Sequence, residues 1–361
     1  MRAIFTAFLF IFFSFSISAQ STATDPTAPF DSTYVFNIIA EADEPVRAIF
    51  EWIAKNVTYD VASLADLPDY SHPSELLDSV WEKREGVCMH YAELMNAFCK
   101  KAGYESMVVN GYTIHEQRAD DRYGHSWNAV KVNGKWRLYD VTWAAGYRNG
   151  QRFIKKYDPK WYNVQPAEFV YSHVPFDPLW QLVEQPLTAK EIQVKQSAKT
   201  MDKMPYAQII QQERTLDAIE KDQRQLARIQ TYSDNNPLVA KELARIQSNI
   251  EIQIFKRGVD NYNTSIDIFN DFIAQYNRGL GETNWSDEEF QQVIQNVNDE
   301  LASAEQNFTQ LKPDNPIYEE SLANNLQLLS NYKQRVKTLN GFAQRYLKTW
   351  RIFRWLVRLD G

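Results

Sequence analysis

HSWNAVKVNGKWRLYDVTW, residues 125–143, is the stretch on which the reading of this chain turns. Two runs rich in β-branched and aromatic residues flank Asn133-Gly134, a pair that tolerates positive φ at both positions and so closes a two-residue hairpin. A turn there sets the register, with Trp127 opposite Asp140 and His125 opposite Thr142. His125 and Asp140 become diagonal neighbours on one face of the sheet, with Cβ atoms roughly 7 Å apart. An imidazole and a carboxylate can close that gap with a hydrogen bond. The carboxylate then fixes the ring's tautomer and supports its charge, leaving the other nitrogen free to work. Asp120 and Asp121 fall in a loop before His125 and have no comparable geometric claim.

An oriented imidazole calls for a nucleophile, and EGVCMHYAEL at residues 85–94 supplies one. Cys88 opens a predicted helix over residues 88–102, with Tyr91, Met95, Phe98, Cys99 and Ala102 on one face and Gly103 just past its end. A helix N-terminus offers unpaired N–H groups and partial positive charge, which favour a thiolate and can hold a developing oxyanion. Gly86 lets the chain turn sharply into this helix. His90 is only two residues from the thiol, but positions i and i+2 point to different sides of a helix, so the pattern selects His125 instead. A disulfide between Cys88 and Cys99 is ruled out, because eleven helical residues separate the two by roughly 16 Å, far beyond bridging distance. Cys99 reads as core, and the plain alternative for Cys88 is also a small buried hydrophobe. His72, His115 and His173 lack metal-ligand spacing and read as surface or packing residues.

Three stretches together resemble the transglutaminase-like superfamily, specifically its kyphoscoliosis-peptidase-like branch: GVCMHYAEL, GHSWNAVKVNGKWRLYDVTW and, more loosely, WIAKNVTYD at residues 52–60. The resemblance covers residues 45–180, under half of the chain. It implies an α+β papain-like, transglutaminase-core domain in which a Cys helix packs on an antiparallel sheet that carries the His and the Asp. The family's nucleophilic cysteine falls on Cys88, its histidine on His125 and its aspartate on Asp140. It also implies acyl transfer through a thioester, released to water or to an amine, with no calcium, other metal or cofactor. Some members place a tryptophan upstream of the cysteine to help hold the oxyanion. Trp52 and Trp81 are the candidates here, with core packing as the other reading of each, and Trp127 either shapes the cleft beside His125 or fills the core.

The remainder of the 361 residues frames these motifs. Arg2, a Phe-rich apolar run over residues 4–17 and Ser18-Ala19 read as a secretory signal peptide over residues 1–19. That run is too short to span a membrane, so the expectation is a secreted or periplasmic protein. Residues 31–185 mix helix and strand signals, as an α+β domain does. Residues 188–361 turn to Gln, Asn, Glu and Lys with apolar residues at helical spacing, which predicts an all-α bundle or coiled-coil-like module of five or six helices. Breaks fall at Asn236-Pro237, at residues 279–281 and at Lys312-Pro313. A net charge of −7 argues against a nucleic-acid partner, although residues 331–361 carry eight Lys or Arg against one acid. WRIFRWLVRL at residues 350–359 reads as a basic amphipathic helix with Arg351, Arg354 and Arg358 on one face. Such a helix suits an anionic membrane surface, and equally suits capping the helical module against the catalytic domain. Two functions therefore compete. One is an exported cysteine enzyme acting on peptide or protein amides. The other is a catalytically silent scaffold or binding protein whose helical half engages a partner.

Overall fold

The computed structural model describes residues 42–63, 73–196, 201–232, 235–278, 285–312 and 315–357. The expected signal peptide, His72, the break at 279–281, Pro313 and Arg358 lie outside the described residues. Two compact units emerge, one running to Tyr206 and one starting at Ala207.

In the first unit, helix α1 (Pro45–Asn56) begins on a proline, whose missing N–H has no partner to lose in a first turn, and buries Val46, Ile49, Phe50 and Ile53. Strand β1 (Thr58–Tyr59) follows, then α2 (Pro73–Lys83) and β2 (Glu85–Gly86), and the two short strands pair in parallel. That pairing fixes the entry to helix α3 (Cys88–Lys101), which stops at Ala102 with Gly103 beyond it at φ +83, the left-handed exit that glycine permits.

The sheet is antiparallel and is built on β3 (Glu105–His115), with β4 (Arg118–Ala119), β5 (His125–Val132) and β6 (Lys135–Tyr139) in the order β4-β3-β5-β6. Ile49, Phe50 and Ile53 of α1, Leu94, Met95 and Phe98 of α3, and Val130 and Tyr139 of the sheet share one core. Two polar ties lock the Cys helix in place: Asn128 Nδ2 donates to Ala92 O at 2.8 Å, and Tyr91 Oη donates to Val57 O at 2.8 Å.

The hairpin register read from the sequence is the one observed, from Val132 opposite Lys135 to Asn128 opposite Tyr139, with Asn133 at φ +51 and Gly134 at φ +76. Its continuation is not. The ladder ends at Tyr139, and Asp140 becomes the N-cap of a short helix α4 (Val141–Ala145), its Oδ1 accepting the Trp143 N–H at 2.9 Å. Aspartate is a strong N-cap and here its carboxylate wins over strand extension. Thr142 and Trp143 are thus helical, and His125 pairs across the other edge with Gly111 of β3. Beyond α4, β7 (Gly146–Asn149) and β8 (Arg152–Lys155) form a separate hairpin. A short helix α5 (Pro166–Phe169) then leads to β9 (His173–Pro175), which pairs with β3, and the short helix α6 (Ala189–Gln193) follows.

The second unit is helical: α7 (Tyr206–Glu213), α8 (Ala218–Tyr232), α9 (Pro237–Arg278), α10 (Asp287–Thr309) and α11 (Glu319–Lys348). Ser286 and Glu289 cap α10 reciprocally, as their spacing predicts. Phe272, Phe290, Phe308, Leu339 and Phe342 pack at the centre of the bundle. The expected basic amphipathic helix at the C-terminus is not formed as such: α11 ends at Lys348, and residues Arg351–Leu356 make a 3₁₀ helix. Arg354 turns inward to a bidentate pair with Asp287, while Trp350, Phe353 and Leu356 are exposed. The carboxylate at the start of α10 claims the charge that the sequence pattern assigned to an outer face. Among the described residues no helix is long and apolar enough to cross a membrane.

Candidate active site

Cys88 stands at the first position of α3 and His125 at the first position of β5, while Asp140 caps α4 directly after β6. Local sequence explains each placement. Val87 donates its N–H to His90 Nδ1 at 3.2 Å, so His90 closes the first turn of the Cys helix and is buried doing so. A Cβ on Gly86 would lie 2.6 Å from His90 Cβ. Glycine is needed there for this close approach rather than for the sharp turn expected from the sequence, since the positive φ belongs to Arg84 at +53.

Asp140 is fully buried and accepts three hydrogen bonds. Trp143 N–H is on Oδ1, and Oδ2 takes both His125 Nε2 at 2.8 Å and His173 Nε2 at 3.0 Å. An ionised carboxylate only accepts, so each imidazole presents an N–H to it. Burial disfavours the Asp140 charge, but His125 and then His173 outweigh it and hold the carboxyl well below the usual range. Burial would likewise lower His125, yet the charge and hydrogen bond of Asp140, with a further hydrogen bond to Cys88, raise it to about 10. For Cys88, burial acts to raise the thiol. The hydrogen bond and charge of His125, together with the Ser126 backbone N–H, outweigh it and leave the thiol below its ordinary value. Cys99 has no such partner and burial pushes it up to about 12. Both thiols are free, so no disulfide joins them.

The structure thus pairs His125 with Asp140, places Cys88 buried at the start of α3, and leaves other candidates elsewhere. Trp52 and Trp81 stack on one another at 5.5 Å and pack edge-on to Phe98. Ten helical residues put Phe98 about 15 Å from Cys88, so both tryptophans are core packing and neither reaches an oxyanion. Arg84 lies over Trp81 at 3.7 Å and completes that stack. Trp127 is buried behind His125, ring centroids 6.1 Å apart, as a wall rather than a substrate platform. Asp120 serves its own turn, its Oδ1 accepting from Arg122 and Tyr123.

One residue was misread from the sequence. His173, expected on the surface or in ordinary packing, is buried against Asp140. Spacing could not reveal it, but Gly111 offered a trace, because a glycine inside a strand pattern marks close backbone approach. A Cβ there would meet Val174 O at 2.1 Å, which is where β9 runs past. By spacing alone His125, Asp140 and His173 could hold a metal ion, with ligand atoms within 4.8 Å of one another. Both Nε2 atoms, however, are already committed as donors to the carboxylate between them.

A Cys helix on an antiparallel sheet, with a buried His–Asp pair facing the helix start, defines the class. Residues 34–141 match the model of the Transglutaminase-like superfamily, and this part of the chain is a transglutaminase-like domain of the kyphoscoliosis-peptidase-like branch. Human kyphoscoliosis peptidase is 30% identical over 158 residues, covering 42% of this chain and 23% of its own length. Hillarin of Drosophila melanogaster is 29% identical over 169 residues, covering 42% of this chain and 20% of its own. The chain therefore spans less than a quarter of either relative. A solved structure described as a TGase aligns at 21% identity over 36% of this chain and 35% of its own, with a TM-score of 0.26.

Proposed function

We propose that this chain is an exported cysteine enzyme that acts on peptide or protein amides by acyl transfer. The observation that carries the reading is the buried 2.8 Å pair between His125 Nε2 and Asp140 Oδ2, whose imidazole also depresses the Cys88 thiol. In this reading the Cys88 thiolate attacks the amide carbon, and the first N–H groups of α3, which have no partner within the helix, face the developing oxyanion. Collapse breaks the C–N bond while the His125 imidazolium gives its proton to the departing amine. The thioester then yields to water or to a second amine, with His125 taking the proton of the incoming nucleophile. Peptidase, transglutaminase and deamidase chemistry share acylation of the cysteine and differ in the second nucleophile and in the shape of the cleft that selects the amide.

Rate of alkylation against pH, with mass-spectrometric mapping of the labelled site, tests the reading. Cys88 should react with iodoacetamide well below the ordinary thiol value of about 8.5, and His125→Ala should abolish that advantage. A Cys88 that alkylates no faster than a free thiol would sink the enzyme reading.

The second reading is a silent scaffold, favoured by a Cys88 that is only 7% exposed and by a separate helical unit available for a protein partner. Full complementation of a deletion by Cys88→Ala, together with failure of a chain truncated after Tyr206, decides for the scaffold.

A further inference from the structure

The chemistry above makes no use of His173, yet few side chains here are held so completely. Strand β9 delivers it along the outer edge of β3, with Gly111 opposite Pro175 and Thr113 opposite His173. Its side chain is 0% exposed. Phe169 stacks on the ring at 3.9 Å and 19°, and Trp143, Trp127 and Trp161 surround it with centroids at 4.6, 5.1 and 5.4 Å. A phenylalanine would fill such a box. What it could not provide is the pair of polar ends.

Nε2 lies 3.0 Å from Asp140 Oδ2, the oxygen that also takes His125, and Nδ1 lies 2.8 Å from Ser172 Oγ. Because the carboxylate only accepts, Nε2 carries the proton. Nδ1 of the neutral ring is then a lone pair, and the Ser172 hydroxyl must donate to it. The hydroxyl also lies 3.1 Å from Phe169 O, but that carbonyl has the Ser172 backbone N–H at 3.0 Å as a donor, whereas the shorter contact to Nδ1 has the hydroxyl proton alone to serve it. The tautomer is therefore set from both sides.

We infer that His173 is a positioning residue, a second imidazole that donates to Asp140 and thereby aims the carboxylate at His125 and shares its charge. This rests on the Cys88, His125 and Asp140 reading above. Asp140 Oδ2 divided between two donors is a weaker acceptor for each than it would be for one. Loss of the His173 N–H therefore concentrates the charge on His125 and makes its imidazolium harder to deprotonate. The charged and titratable groups that face this pair are Asp140 from the cap of α4, Cys88 from α3 and, more remotely, His115 from β3.

The test compares two variants of the full chain. His173→Phe keeps the ring in its aromatic box without an N–H, and His173→Gln restores an amide N–H of similar reach. In a Cys88→Ala background, the His125 titration followed by NMR needs no catalysis. The expected result is a midpoint raised by about one unit in the Phe variant and close to the parent in the Gln variant. A midpoint that does not move in the Phe variant overturns the proposal, as does a Gln variant that shifts as far as Phe. Should His173→Phe fail to fold, His173→Met serves as the donor-free variant. With Cys88 intact, the alkylation profile separates the two failures: an unreactive parent thiol removes the enzyme reading, while the NMR titration still decides whether His173 acts on His125.

Discussion

Asp140 is surrounded by donors of opposite titration behaviour, and this gives the site a legible acid response. Burial holds the His173 ring neutral and pushes it down to about 4, against roughly 6.5 in an unfolded chain. Between those values the unfolded state binds the extra proton, so stability is complete above about 6.5 and falls as pH drops towards 4. The full difference amounts to about 3 kcal/mol. His125 has the opposite sign, but its window runs from about 6.5 up to about 10. Asp140 loses its contribution only at still lower pH, below the usual carboxylate range. His90, lowered by burial, acts in the same direction as His173, which is why the informative quantity is a difference. Urea unfolding midpoints of the parent should decline between pH 6.5 and 4 more steeply than those of His173→Phe. Parallel curves would mean that folding does not lower the proton affinity of His173. At this scale the helix start at Cys88 and the approach of His125 to Asp140 were legible as local patterns, although Asp140 meets His125 from a helix cap and not from a continued strand. His173 was not, since it reaches Asp140 from 33 residues away through a strand of three residues.

Among the elements, the turn at Asn133-Gly134 was fully legible, since two consecutive positive φ values demand those residue types and fix the register of β5 and β6. The end of β6 was not, because Asp140 satisfies both a strand pattern and a helix cap, and only the Trp143 N–H within its reach settles the choice. The C-terminal segment failed for a similar reason, its arginine periodicity being overruled by a partner in another helix, Asp287. Gly111 is the element-scale hinge of the site. It pairs with His125 on one side and Pro175 on the other, and an added Cβ would fall 2.6 Å from Trp127 and 2.1 Å from Val174 O. Backbone cannot give way as a flexible side chain does, so Gly111→Ala should cost about 1–3 kcal/mol as an overpacked position and push β9 off β3. Denaturant unfolding checks the cost. Loss of hydrogen-exchange protection in residues 173–175, with protection kept in β5, checks the displacement. An unchanged β9 would show that the strand has slack that the close approach denies.

Among the described residues, two hydrophobic cores share no residue, one formed by α1, α3 and the sheet and the other by α9, α10 and α11. Cooperative units of unfolding follow contiguous cores, so damage to one core is expected to stay within it. Leu339 is fully buried in the helical core and shares it with Phe290, Phe342 and Tyr346. Removing its branched end leaves a cavity whose walls belong to helices and cannot all relax, a change that costs about 2–5 kcal/mol in a typical core. Even the lower figure corresponds to roughly a thirtyfold rise in the population of the open state, since each 1.36 kcal/mol is a factor of ten. Leu339→Ala should therefore accelerate amide exchange along α9, α10 and α11 by at least that factor. The strands β3 and β5 should keep their parental protection, and the Cys88 alkylation profile should not move. Equal loss of protection in strands and helices would join the two cores in one cooperative unit, and the helical half would then be a stabiliser of the site rather than a module with a role of its own.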